Sequence, residues 1–250
     1  MPRFFVTSSQ IENGIVTVTG DDAHHISRAL RMAVGDVITV CDMRRCEYSC
    51  KLTDFLPDRV LGRVLSVTKA QTEPPADITL YQALPKGDKL DSIIQKAVEC
   101  GVSRIVPFES ERCVVRCKKE AEAHKTERRN RISLEAAKQS GRGVIPAVLP
   151  TVTFSEMLDM AAGAQTVLFC YEGDGTEPIG TLLKQLTRNA TESIAIIIGS
   201  EGGFSLAEAQ KAKESGFLMA GLGPRILRTE TASGFALACI ACALELGGLS

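Results

Sequence analysis

The run Ile194-Ala-Ile-Ile-Ile198, followed at once by Gly199-Ser-Glu-Gly-Gly-Phe204, constrains this chain more than any other feature. A short, wholly apolar, β-branched run suits a strand, and a strand with no polar side must be covered on both faces. That is the condition of a parallel sheet packed between helices. A second run of the same kind, Thr166-Val-Leu-Phe-Cys170, ends on Tyr171-Glu-Gly-Asp-Gly175.

The rest of the second half keeps that rhythm. Ile78-Thr-Leu-Tyr-Gln-Ala83 and Ile105-Val-Pro-Phe108 read as strands. Amphipathic helices are predicted from Asp88 to Cys100, Glu127 to Ser140 and Leu206 to Ser215, each closed by a glycine (Gly101, Gly141, Gly216). Alternation of this kind predicts an α/β domain with helices on both faces. The last helix, Thr229 to Leu246, is apolar nearly all round, which requires deep packing or a subunit interface. Residues 1 to about 70 differ. Ile15-Val-Thr-Val18, Val37-Ile-Thr-Val40 and Val60 to Val67 are short β-branched runs, interrupted by one helix over His24 to Met32 that Asp21 or Asp22 can cap. They predict a small β-barrel carrying one helix. The polar, proline-bearing stretch around Thr68 to Asp77 reads as a linker. The expected organisation is therefore a barrel over 1–70, a linker over 71–77 and an α/β domain over 78–250.

An apolar fraction of 44% supports a full core, and a net charge of −1 gives no global bias toward polyanions. Binding to a polyanion must then come from local clustering. The interval Arg112 to Arg142 supplies it, with ten Lys and Arg (Lys118 and Lys119 among them) against four Glu. The N-terminus lacks a signal-peptide pattern, and the longest uncharged apolar run, Gly234 to Leu244, falls short of the roughly 18 residues of a membrane span. Nine cysteines, an odd number, argue against a disulfide framework and for a reducing cytoplasm. Cys239-Ile-Ala-Cys242 lies in an apolar helical pattern without a second ligand pair, so the thiols read as buried or incidental and no metal site is expected.

In an open α/β sheet, ligands bind where loops leave the carboxyl ends of strands. Three loops qualify: 171–175, 199–204, and Gly221-Leu-Gly-Pro-Arg-Ile-Leu-Arg-Thr-Glu-Thr-Ala232. None has the spacing of a dinucleotide fingerprint or a P-loop. On their chemistry alone they serve equally well as tight structural turns or as a nucleoside pocket.

The combination of Ile198-Gly-Ser-Glu-Gly-Gly-Phe204 with Leu222-Gly-Pro-Arg-Ile-Leu-Arg-Thr-Glu-Thr-Ala232 resembles the SPOUT methyltransferase superfamily. Within it, the chain resembles the ribosomal RNA small subunit methyltransferase E family. Pro2-Arg-Phe-Phe5 and His24 to Arg31 are similar to the N-terminal part, and Gln82 to Lys89, Gly101 to Pro107 and Glu135 to Arg142 to the catalytic part. The resemblance implies a PUA-like β-barrel followed by an α/β domain with a trefoil-knotted cofactor site, acting as a homodimer. It implies methyl transfer from S-adenosylmethionine to N3 of a uridine in 16S ribosomal RNA of the small ribosomal subunit. Two positions depart from the family pattern: Ser200 stands where a proline is usual, and Arg129 where a tryptophan is frequent.

The resemblance and the loops together place the cofactor against Leu168, Phe169, Glu172, Gly199, Gly202, Leu222, Gly223, Ile226, Leu227 and Arg228. Methylating N3 requires loss of the imide proton, which a general base or a neighbouring cation assists. Glu201 and Glu230 are the candidate bases, and Arg228 can neutralise developing charge unless it merely pairs with Glu230 at the helix start. Arg3, Arg28, Arg31, Lys86, Lys89, Arg112, Arg116 and Arg142 are the candidate RNA contacts. A non-catalytic RNA-binding factor on the same scaffold is the competing reading, and cofactor binding separates the two.

Overall fold

The computed structural model describes residues 1–117 and 119–247, with only the backbone at Lys119. Lys118 and the Lys119 side chain, both counted in the basic interval, lie outside the described residues. The chain forms two compact units: Met1–Glu73 with Ala137–Ile145, and Pro74–Ala136 with the remainder from Pro146.

The first unit holds β1 (Arg3–Phe5), β2 (Ile11–Glu12), β3 (Ile15–Thr19), β4 (Val37–Cys41), β5 (Cys46–Phe55) and β6 (Arg59–Lys69). They form a six-stranded sheet in the order β1-β4-β5-β6-β3-β2, with β1–β4 the parallel pair. Phe4 from one end of that order and Val16 from near the other share a single core with Ile38, Val40, Leu52 and Val60. A sheet whose two ends bury side chains in one core must curl into a barrel-like shape. Helix α1 (Gly20–His24) closes it through Ala23 and runs into a wider π-turn over His25–Ala29 that buries Ile26. The helix starts at Gly20, four residues before His24, so Asp21 and Asp22 occupy its first turn rather than its cap.

The division between the two units falls inside the stretch expected as a linker, between Glu73 and Pro74, and Gln71, Thr72, Pro75 and Asp77 there are exposed, but the stretch is partly packed. β6 continues to Lys69, and Glu73 forms a two-pronged ion pair with Arg142 at 2.7 and 2.9 Å, both side chains 3% exposed. Polarity suggested solvent there; the polar atoms are instead satisfied internally, since Gly143 N–H also donates to Glu73 at 2.8 Å.

The second unit contains β7 (Asp77–Ala83), β8 (Arg104–Glu109), β9 (Ala147–Val148), β10 (Val152–Thr153), β11 (Thr166–Cys170), β12 (Glu177–Pro178), β13 (Ser193–Ile198) and β14 (Leu218–Gly221). All pairings are parallel, along the order β10-β8-β7-β13-β11-β14-β12 with β9 also on β8. Ile194, Ile196, Ile197 and Ile198 are 0–2% exposed, as a strand covered on both faces requires. The helices are α2 (Lys89–Glu99), α3 (Lys119–Ser140), α4 (Phe154–Ala161), α5 (Ile179–Arg188), α6 (Leu206–Glu214) and α7 (Thr229–Glu245). Ser205 and Glu208 form a capping box that fixes the start of α6 beside the loop after β13. Although α7 lacks a polar face, it is only half covered. Ala236, Leu237 and Ile240 are buried, whereas Phe235 is 40% and Leu246 77% exposed.

Candidate active site

Strand register brings the three glycine loops together. Phe169 pairs with Ile197 and with Met219, and Cys170 pairs with Ala220, so β11, β13 and β14 end level with one another. Their loops therefore leave one edge of the sheet side by side. Between them lies a cavity of about 850 Å³, open mouth included, lined by Tyr171, Glu172, Thr176, Gly199, Ser200, Gly203, Phe204 and the segment Gly221–Leu227, with Thr229 and Ala232 of α7 beneath.

Each glycine has a separate reason. At Gly199 an added Cβ would sit 3.2 Å from the Phe204 ring and 3.3 Å from Gly203 Cα. Gly203 has φ +63°, accepts the tight turn closed by its N–H to Ser200 O at 2.9 Å, and lies against Glu172. Gly223 has open space around it but φ +102°, a conformation that side-chain-bearing residues resist. Behind the loops, buried Gln82 donates from Nε2 to the Thr229 hydroxyl at 2.9 Å, and that hydroxyl donates to Gly199 O at 2.6 Å. This link ties the ends of β7 and β13 to the start of α7. A wholly buried amide in an otherwise apolar strand was the sequence signal for it, and only Gln82 carried one.

Of the residues expected to hold a cofactor, Glu172, Gly199, Leu222, Gly223, Ile226 and Leu227 line the cavity. The others do not. Leu168 and Phe169 are 0% exposed and lie behind the wall, where Phe169 packs on Phe204 at 4.2 Å between ring centroids. Continuous apolar strands put their side chains into core, so these two support the cavity rather than face it. Gly202 turns toward Arg112, which donates to its carbonyl at 3.0 Å. Arg228 is the exposed N-cap residue of α7, and its carbonyl accepts from Thr231 and Ala232. Tyr171, Phe204, Gly221, Thr229 and Ala232 also line it: they lie in the three loops expected to bind a ligand but were not singled out, and Thr176 falls just beyond the first of those loops.

The two candidate bases meet at one lysine. Lys89 Nζ lies 2.8 Å from Glu201 and 3.5 Å from Glu230, and Glu201 also accepts from Lys86 N–H at 3.1 Å. Partial burial pushes the Glu201 carboxyl up, but the hydrogen bonds from Lys89, from its own N–H and from Lys86 N–H, with the charge of Lys89, together outweigh it and hold the group below the usual carboxylate range. The Lys89–Glu201 bond holds the Lys89 ammonium above its ordinary value. Glu201 is thus a fixed anion. Glu230 is less engaged, since its buried Oε2 receives no hydrogen bond. The anticipated Arg228–Glu230 pair is replaced by Lys89–Glu230.

The candidate RNA contacts divide in the same way. Arg3 is engaged by Glu47 at 2.6 Å and by Cys41 and Arg142 O, and Arg142 is held by Glu73, so both are structural. Basic residues near a sequence cluster looked alike; burial separates them. Arg116 braces its own loop through Ser110 O and Glu111 O. Arg28, Arg31 and Lys86 are exposed. Arg129, where an aromatic residue is frequent, is inward and pairs with Glu122 at 2.9 Å. The cysteines are free thiols; burial pushes Cys41 and Cys50 up to about 11 and Cys170 up to about 12. No helix among the described residues is long and apolar enough to cross a membrane.

A parallel sheet with a loop-built cavity at its carboxyl edge, in a chain that also carries a unit of barrel-like β-structure, goes with the RNA methyltransferases that the chain matches. Residues 72–241 match the family described as RNA methyltransferase domain, and residues 18–65 match the RNA methyltransferase PUA domain. The chain belongs to the ribosomal RNA small subunit methyltransferase E family. It is 35% identical to the Bacillus subtilis (strain 168) ribosomal RNA small subunit methyltransferase E, over 98% of each chain. It is 34% identical to the Synechocystis relative of the same name, over 97% of this chain and 78% of that one. The crystal structure of the Neisseria gonorrhoeae ribosomal RNA small subunit methyltransferase E bound to S-adenosyl methionine superposes with a TM-score of 0.79, at 32% identity, covering 96% of this chain and 97% of that one.

Proposed function

We propose that this protein transfers a methyl group from S-adenosylmethionine to N3 of a uridine in 16S ribosomal RNA of the small ribosomal subunit, in the cytoplasm and as a homodimer. The observation that carries the reading is the cavity between the three glycine loops. Its donors suit the cofactor: glycine backbone that a ligand can approach closely, apolar Leu222, Ile226 and Leu227 for a nucleoside, and the Glu172 carboxylate for a cation. When bound, the cofactor supplies an electrophilic methyl group on a sulfonium, which needs no metal.

The chain's own residues hold and relieve the nucleophile. Glu230 acts as the base toward the N3 proton: its Oε2 is buried, accepts no hydrogen bond and lies 3.5 Å from Lys89 Nζ, in the residue that follows cavity-lining Thr229. Lys89, fixed by Glu201, keeps that carboxylate charged and stabilises negative charge on the deprotonated ring. Glu201 is too firmly held as an anion to be the base. Arg28 and Arg31 on the first unit and Lys86 on the second are the proposed phosphate contacts. The homodimer reading rests on α7, whose exposed Phe235 and Leu246 leave apolar surface that a second copy would cover. The trefoil knot implied by the family fits three adjacent loops arising from β11, β13 and β14, which neighbour one another in the sheet in the order β13-β11-β14 and so out of their order in the chain.

Isothermal calorimetry with S-adenosylmethionine tests the cavity assignment. Saturable binding is expected, and loss of it in Gly223→Arg. No binding by the wild-type protein would leave a non-catalytic RNA-binding factor as the reading.

A further inference from the structure

Ser200 carries an unexplained atom. The residue lines the cavity and is 7% exposed, and its Oγ is buried without a hydrogen-bond partner. A buried hydroxyl left unpaired is unfavourable, so such atoms are rare in folded proteins. Nothing in the fold requires it. The turn it opens is closed by backbone, Gly203 N–H to Ser200 O, and the hydrogen bonds from Gln82 Nε2 to Thr229 and from Thr229 to Gly199 O do not use it, although Gln82 Oε1 is likewise left without a partner.

We propose that Ser200 Oγ is a cofactor-binding group, making a hydrogen bond to a polar edge of bound S-adenosylmethionine. The proposal rests on the assignment of the cavity to that cofactor. A hydroxyl both donates and accepts, so it can serve a ribose hydroxyl, an adenine nitrogen or the cofactor's carboxylate. The loop that carries it is held by the backbone turn and by Glu201 on Lys89 and Lys86 N–H, so the hydroxyl is a directed contact.

The physical signature is a separation of stability from affinity. Removing an oxygen that no protein group uses leaves the unliganded fold as stable as before, or slightly more so. Removing a ligand's hydrogen bond weakens binding roughly five- to tenfold. The test is calorimetry on wild type, Ser200→Ala and Ser200→Thr, with S-adenosylmethionine, S-adenosylhomocysteine and 5′-methylthioadenosine as ligands, alongside thermal unfolding without ligand. The expected result is an unchanged or raised Tm in Ser200→Ala, a Kd five- to tenfold weaker, and recovery of most of the affinity in Ser200→Thr, which restores the hydroxyl. A loss that persists with methylthioadenosine assigns the bond to the nucleoside; a loss confined to ligands with the amino-acid portion assigns it there. Wild-type binding that Ser200→Ala matches for every ligand overturns the proposal and leaves the hydroxyl to solvent. Absence of binding by wild type overturns the cavity assignment itself, and this proposal with it.

Discussion

At the scale of single residues, the division of labour between two glutamates is the sharpest claim. Glu201 is hydrogen-bonded by Lys89 and by Lys86 N–H, whereas Glu230 Oε2 takes no hydrogen bond. Glu230→Gln is expected to lower kcat for methyl transfer by about a hundredfold or more while leaving the S-adenosylmethionine Kd within about twofold of wild type. Glu201→Gln is expected to cost less in kcat and more in loop stability. Single-turnover kinetics on the two variants checks the order, and the reverse order would make Glu201 the base. A second residue-level expectation concerns Glu122. Burial pushes its carboxyl up, but the Cys117 thiol, the Thr151 hydroxyl and N–H, and Arg129 together hold it at about 2, against an ordinary 4.5. Because the folded value is the lower one, the stabilisation is complete above about 4.5 and is lost as pH falls toward 2. Glu122→Gln is expected to destabilise the protein at neutral pH by about 2 kcal/mol and to flatten the decline of stability between those limits, which denaturant unfolding at stepped pH measures.

At the scale of elements, the strands that frame the site were legible in the sequence and the walls of the site were not. Ile194–Ile198 and Thr166–Cys170 announce themselves by unbroken apolar character, and their ends bound the cavity. β14, between two glycines and only four residues long, gives no such signal, yet its register with β11 delivers Gly221–Leu227 to the same edge. Arg142 and Arg28 are indistinguishable as sequence, but one is sealed against Glu73 and the other is exposed. Leu168 and Phe169 were assigned to the cofactor because they adjoin the loop, although strand alternation and helix cover commit them to core. The glycine loops can be tested as elements. Gly199→Ala would press a methyl group onto the Phe204 ring and the Gly203 backbone. Because Phe204 is stacked between Phe108 and Phe169, the ring cannot retreat freely. The expected outcome is destabilisation of about 1–3 kcal/mol together with at least tenfold weaker S-adenosylmethionine binding, read by thermal unfolding and calorimetry. Unchanged affinity would detach the loop after β13 from the cofactor.

At the scale of the whole molecule, the chain carries a barrel-like unit that matches the PUA domain of RNA methyltransferases and an α/β unit that matches their methyltransferase domain. Net charge near zero gives no long-range attraction to RNA, so recognition rests on local cations. The half-exposed apolar α7 makes a second copy the proposed partner. Phe235→Glu with Leu246→Glu is expected to shift the protein from dimer to monomer in light scattering, without loss of the monomer's secondary structure. A dimer of unchanged stability would place the interface elsewhere. The most direct test of the central claim is methyl transfer from labelled S-adenosylmethionine to 30S particles from a strain lacking this gene, followed by mass-spectrometric mapping of the modified nucleotide. The expected product is a single 3-methyluridine in 16S ribosomal RNA; a methyl group on a ribose 2′-hydroxyl, or no incorporation by a protein that binds the cofactor, would contradict it.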